Sequence, residues 1–185
     1  MPKTVDNDVY PIAQTLGAWT AAEQGAIFFE NVVNENTTSD RQLIIHEVMG
    51  RHCGWLTAAT ALAYQKRLQN LDFIPEISVV KEKWMVHSVL LPEEELDFDK
   101  ECERLNKVMD KYDCVNVFLS EGAGMDVIVE ATEKSGGEVL RDAFGHVRLD
   151  DLNPGQWFAK QLGSRLKANK VLVQKSGYFG RSAKA

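Results

Sequence analysis

Gln42-Leu43-Ile44-Ile45-His46-Glu47-Val48 runs into Met49-Gly50-Arg51-His52-Cys53-Gly54, and an alanine-rich stretch follows to about Leu68. A short apolar run, a turn flanked by glycines and then a helix make the repeating unit of a mostly parallel α/β sheet. Residues 42–48 are read as a buried strand, and Gly54 opens a helix that extends to about residue 68. In open α/β sheets ligands bind at the carboxyl ends of the strands, so the turn at 49–54 is also the first candidate site.

Upstream, Leu16, Trp19, Ala22, Ala26, Phe29 and Val33 recur at three- and four-residue steps and predict a long amphipathic helix. Thr37-Thr38-Ser39-Asp40 is a polar break before the strand. Downstream, a strand is expected over 86–91, stopped by Pro92. Phe98, Cys102, Leu105, Met109 and Tyr112 form a stripe that predicts a surface helix with one buried face. A strand over 114–119 and a helix from 125 to about 134 come next. Asn153-Pro154 places an N-cap before a first-turn proline, starting a helix to about 168 that Asn169 can close. The last strand is 171–175. No motif can be read between 72 and 83, and there are no repeats. The fold expected is α/β: a mostly parallel sheet with helices on both faces, three layers in a Rossmann-like arrangement. Both ends read like cuts through a larger fold, because the last strand has no covering helix and the first residues open directly on a polar cluster.

Composition narrows the function. The 185 residues suit one ordinary domain, or one and a piece of another. A net charge of −6 argues against a nucleic-acid or anionic-membrane partner, which would call for a basic face. Any phosphate site must be a local cluster of cations in an acidic field. Cys53, Cys102 and Cys114 are widely spaced and odd in number, which suits a reducing compartment. No signal peptide or membrane-length apolar run is read, so the expected location is cytoplasmic.

Three strand exits combine glycines with a charged side chain: 49–54, Ser120-Glu121-Gly122-Ala123-Gly124, and Ser176-Gly177-Tyr178-Phe179-Gly180-Arg181. Each alone also has a plain reading. A Gly-Arg turn can be a solvated loop, Glu121 can cap the next helix, and Tyr178 with Arg181 can be a rim contact. Val127 stands where a dinucleotide fingerprint would need its third glycine. Together the three turns point to a polar, phosphate-bearing ligand, with Arg51 and Arg181 on its phosphate and Glu121 on its hydroxyls.

Asp6-Asn7-Asp8 is a fourth element. If it is extended, Asp6 and Asp8 share a side and can hold a cation or divide base and metal duties; the alternative is an Asx-type turn. An EF-hand is excluded by Pro11 and Gly17. His46, His52 and Cys53 raise the question of a metal, but His46 sits mid-strand facing away from the turn, so a satisfied or exposed histidine is preferred.

Pro2-Lys3-Thr4-Val5-Asp6-Asn7-Asp8, 47–55, 120–122 and 175–182 resemble, in order, four motifs of the pyrophosphate-dependent phosphofructokinases. The resemblance covers essentially the whole chain. It implies a phosphofructokinase-like fold and reversible transfer of a phosphoryl group from pyrophosphate to the 1-hydroxyl of fructose 6-phosphate, with Mg2+. By the same resemblance Asp6 is the base, Asp8 lies beside it near the metal, and Thr4 lines the loop. Lys3 favours pyrophosphate over ATP. Met49, Gly50 and Arg51 hold the sugar phosphate, Glu121 its hydroxyls, and Tyr178 with Arg181 the 6-phosphate end. Residues 1–40 correspond to the end of the donor-domain region and a crossing helix, and 41–185 to the sugar-phosphate domain. The family's glycine-rich donor loops are absent, so this piece is expected to be inactive alone. A homodimer or homotetramer of the full-length enzyme is implied, although Arg41 and Gln42 leave the across-subunit arginine contact open. An ATP-dependent enzyme and a non-catalytic fructose-phosphate sensor remain the alternatives.

Overall fold

The computed structural model describes residues 1–77, 79–141, 145, 147–148 and 152–177. Helix α1 is Ala18–Val32, strand β1 Gln42–Val48, helix α2 Trp55–Leu68, strand β2 Ser88–Leu90 and helix α3 Phe98–Tyr112. Strand β3 is Cys114–Ser120, helix α4 Met125–Lys134, helix α5 Pro154–Arg165 and strand β4 Lys170–Lys175. The four strands lie in the order β2-β3-β1-β4, and every pairing is parallel. The expected α/β architecture is therefore the one formed.

Parallel strands buried on both faces need apolar side chains in both directions, and all seven residues of β1 and of β3 are buried. Ile44, Val48 and Phe118 point to one face and pack with Ala22, Ala26 and Phe29 of α1 and Tyr64 of α2. Leu43, Ile45, Val117 and Leu119 point to the other, against Leu105 and Met109 of α3, Ile128 of α4 and Phe158 and Leu162 of α5. Helices thus cover both faces.

Several local expectations change. Leu16 precedes α1, and both Leu16 and Trp19 are exposed, so the buried stripe begins at Ala18. Trp19 instead meets Trp55 edge-on, with ring centroids 5.2 Å apart. Asn153 does not cap α5 with its side chain, because its φ of 43° lies in the left-handed region; its carbonyl accepts from Gln156 and Trp157. Lys167, also left-handed, lies where α5 closes, while the Asn169 N–H donates to the Arg41 carbonyl.

The stretch without a readable motif carries two short 3-10 helices, Pro75–Ile77 and Lys81–Trp84. Trp84 is buried and donates from Nε1 to Asn34. Asn36 and Asn116 both donate to the Lys83 carbonyl, and Asn36 Nδ2 also donates to Asn116 Oδ1 at 2.8 Å. No helix among the described residues is long and apolar enough to cross a membrane.

Candidate active site

Because all strands run the same way, the exits of β1, β3 and β4 emerge on one edge. The β1 and β3 turns interlock there. The Glu121 N–H donates to the Val48 carbonyl at 3.0 Å, and the buried Ser120 hydroxyl donates to the Gly50 carbonyl at 2.6 Å. Gly50 has a φ of 136°, a conformation side chains resist. A Cβ on Gly122 would sit 1.8 Å from the Arg51 carbonyl oxygen, so glycine alone fits the crossing. Met49-Gly50-Arg51 and Glu121 are thereby held side by side by backbone.

The N-terminal loop reaches the same edge. Thr15 Oγ1 donates to the Thr4 carbonyl at 2.6 Å, and Asn7 Oδ1 accepts from the Thr15 N–H at 2.8 Å. Asn7 is left-handed, with φ 56°, so the segment is not extended and its side chain ties the loop to Thr15 rather than forming a local Asx turn. Asp6 and Asp8 consequently do not share a side by strand alternation. The Asp6 N–H donates to Thr4 Oγ1 at 3.3 Å, and Thr4 Oγ1 lies 3.4 Å from Asp8 Oδ1. Val5 packs beside Val48, Met49, Ser176 and Gly177, which sets Asp6 next to the β1 and β4 exits. Lys3 and Asp8 are exposed, and Asp6 and Thr4 half-buried.

Electrostatics confirm the proximity. Burial pushes the Glu121 carboxyl above the usual carboxylate range, and the negative charges of Asp6 and Glu47 add to it. A hydrogen bond from the Gly50 backbone and the Arg51 cation pull the other way. The charges of Asp6, Glu47 and Arg51 are thus all felt at Glu121. Tyr178 and Arg181 lie outside the described residues. Among the described residues no three His, Cys, Asp or Glu side chains are arranged so that they could hold a metal ion. His46 is neither satisfied nor exposed: it is fully buried against Phe28, Phe29 and Phe118, and neither ring nitrogen has a hydrogen-bond partner.

A cavity of about 910 Å³ opens beside Arg51 and Gly122, but Glu93, Glu94, Glu95, Asp126 and Glu130 line it. Neither Asp6 nor Glu121 does. Arg141 and His52 line it as well, so its charges are mixed.

Sequence reading placed Glu47, Ser120 and Lys175 in the motifs but gave them no role of their own. Glu47 is 7% exposed, and its carboxylate takes Lys175 Nζ at 2.9 Å and the Gly155 N–H at 3.1 Å. A carboxylate near the end of a strand read as buried, two residues before Met49, was the available signal.

The Phosphofructokinase family model matches residues 1–166. The chain belongs to the phosphofructokinase family. It is 57% identical over 183 residues to a pyrophosphate–fructose 6-phosphate 1-phosphotransferase of Methylomonas methanica, covering 99% of this chain and 45% of that protein. An identically named protein of Mastigamoeba balamuthi is 53% identical over 186 residues, covering 100% and 45%. The chain thus spans less than half the length of these curated relatives. Among solved structures, the pyrophosphate-dependent phosphofructokinase of Marinobacter aquaeolei superposes with a TM-score of 0.63 at 24% identity, over 98% of this chain and 37% of that one. This last likeness concerns the fold.

Proposed function

We infer that the chain is the sugar-phosphate part of a phosphotransferase that moves a phosphoryl group from pyrophosphate to the 1-hydroxyl of fructose 6-phosphate. The observation that carries the reading is the interlock of the Met49-Gly50-Arg51 turn with Glu121, within electrostatic reach of Asp6, in a chain so similar to relatives bearing that name. Phosphoryl transfer depends on positioning and charge neutralisation more than on covalent help. Arg51 supplies a cation to the sugar phosphate, with Met49 and the Gly50 backbone beside it. Glu121 accepts from the sugar hydroxyls. Asp6 takes the proton of the attacking 1-hydroxyl. Thr4 orients the loop, and Lys3 brings a point charge to a small anionic donor that offers no adenosine to grip. Tyr178 and Arg181 are assigned to the 6-phosphate end on the motif alone.

Magnesium is usually held by one or two carboxylates together with phosphate oxygens. Asp8, exposed and hydrogen-bonded to Thr4, fits the carboxylate share of such a set. Mg2+ would neutralise charge on the transferring phosphate. We place the protein in the cytoplasm, as a homodimer or homotetramer, with 1–40 closing the donor-domain region and 41–185 forming the sugar-phosphate domain. The across-subunit contact is not assigned to Arg41 or Gln42. Arg41 spends its guanidinium on the Lys167 and Leu166 carbonyls and Asp110, and Gln42 is fully buried.

The test measures fructose 1,6-bisphosphate formation from pyrophosphate and fructose 6-phosphate by the intact protein. Asp6→Ala is expected to lower kcat about 10²–10⁴-fold. A near-normal rate removes Asp6 as base, and faster turnover with saturating ATP than with pyrophosphate overturns the donor assignment.

A further inference from the structure

We propose that Glu47 is a positioning residue for the sugar-phosphate site, a clamp that sets the β4 exit and the start of α5 against the Met49-Gly50-Arg51 turn. The inference rests on the phosphotransferase reading above and assigns a role to a residue outside its machinery.

Glu47 lies on the α5 side of β1, between Ile45 and the turn. A carboxylate that is 7% exposed costs several kcal/mol to desolvate unless it is held from more than one direction. Here it is. One oxygen, Oε1, faces Lys175 Nζ at 2.9 Å, and Oε2 accepts from the Gly155 N–H at 3.1 Å in the first turn of α5. Lys175 Nζ also donates to Asn153 Oδ1 at 3.1 Å, closing a loop of contacts through β1, β4 and the start of α5. The backbone adds to the tie, because the Ser176 N–H donates to the Glu47 carbonyl at 3.3 Å.

The placement decides the role. Lys175 is the last residue of β4, immediately before the motif that runs to Arg181. Glu47 is two residues ahead of Met49. One side chain therefore ties the strand that leads into the Met49-Gly50-Arg51 turn to the end of β4 and the start of α5. Its charge also bears on Glu121, which it raises together with Asp6. The contacts of Glu47 are with Lys175, Gly155 and Ser176, none of which is assigned to substrate.

The test uses the intact protein and initial rates with fructose 6-phosphate and pyrophosphate. Glu47→Gln keeps an acceptor for the Gly155 N–H but removes the charge facing Lys175. It is expected to raise KM for fructose 6-phosphate about tenfold and to change kcat less than about twofold, since misplacing a binding segment weakens the grip more than the chemistry. Glu47→Asp, with the charge on a shorter arm, should recover part of the loss. If Glu47→Gln does not fold, Lys175→Met removes the same pair from its half-exposed side and should raise KM in the same direction. An unchanged KM in a folded variant, or a fall in kcat at constant KM, overturns the clamp. No turnover of fructose 6-phosphate by the unsubstituted protein is a separate result: it overturns the phosphotransferase reading, and the clamp's assignment with it.

Discussion

An imidazole without a hydrogen-bond partner in an aromatic core is expensive to charge. Burial lowers the His46 pKa to about 3, and that of His87 to about 4. His87 is at least engaged, accepting from the Asn116 N–H at Nδ1 and lying 3.0 Å from the Glu82 carbonyl at Nε2. Both groups titrate in the unfolded chain near 6.5, above their folded values. The unfolded state therefore binds more protons at intermediate pH. Stability is full above that value and is lost as pH falls towards 4 and 3, by up to about 1.4 kcal/mol per pH unit for each group. Replacing the ring with an apolar one, His46→Phe, is expected to flatten this limb by His46's share and to raise neutral-pH stability by about 1 kcal/mol. Urea unfolding midpoints of both proteins across the acid range check it; parallel curves would mean that His46 is not the source. The sequence showed His46 in mid-strand but could not show that α1 would lay Phe28 and Phe29 over it.

The elements whose ends were legible were those with unambiguous chemistry. β1 was read from its short apolar run and α3 from its stripe, with Asp97 accepting from the Lys100 N–H as a cap. The ends of α5 and β2 were less legible, because Arg41 and the Asn116 side chain decide them from far along the chain. The interlocked turns behave likewise: glycines at 50 and 122 were visible, but their mutual contact was not. Gly122→Ala should drive a methyl group into the Arg51 carbonyl, costing about 1–3 kcal/mol and weakening fructose 6-phosphate binding together. Thermal unfolding alongside calorimetric titration measures both, and full binding by a stable variant would show that the two turns are not mechanically joined.

Across the whole molecule, the candidate site divides by how it is encoded. Asp6, Met49, Gly50, Arg51 and Glu121 were found by motif because they sit at strand exits or in a polar loop. Glu47, Ser120 and Lys175 fall in the same motifs but were given no role, since nothing local distinguishes a clamp from an ordinary strand residue. The distant polar tie behaves in the same way. Asn116 Nδ2 donates to the Lys83 and Met85 carbonyls and its Oδ1 accepts from Asn36, fastening the stretch before β2 to the sheet. Asn116→Ala strands those groups in a buried place and should cost about 1–3 kcal/mol, read from the chemical unfolding midpoint.

The register of the central strand sets a timetable for folding. Gln42 of β1 pairs on one side with Cys114 and on the other with Lys170. During synthesis the strand therefore waits, with both ladders open, until residues 114–120 and then 170–175 have left the ribosome. Pairings this remote in sequence close slowly, on the order of milliseconds to seconds. Any chaperone that guards this nascent chain has the bare flanks of β1 to cover for most of that interval.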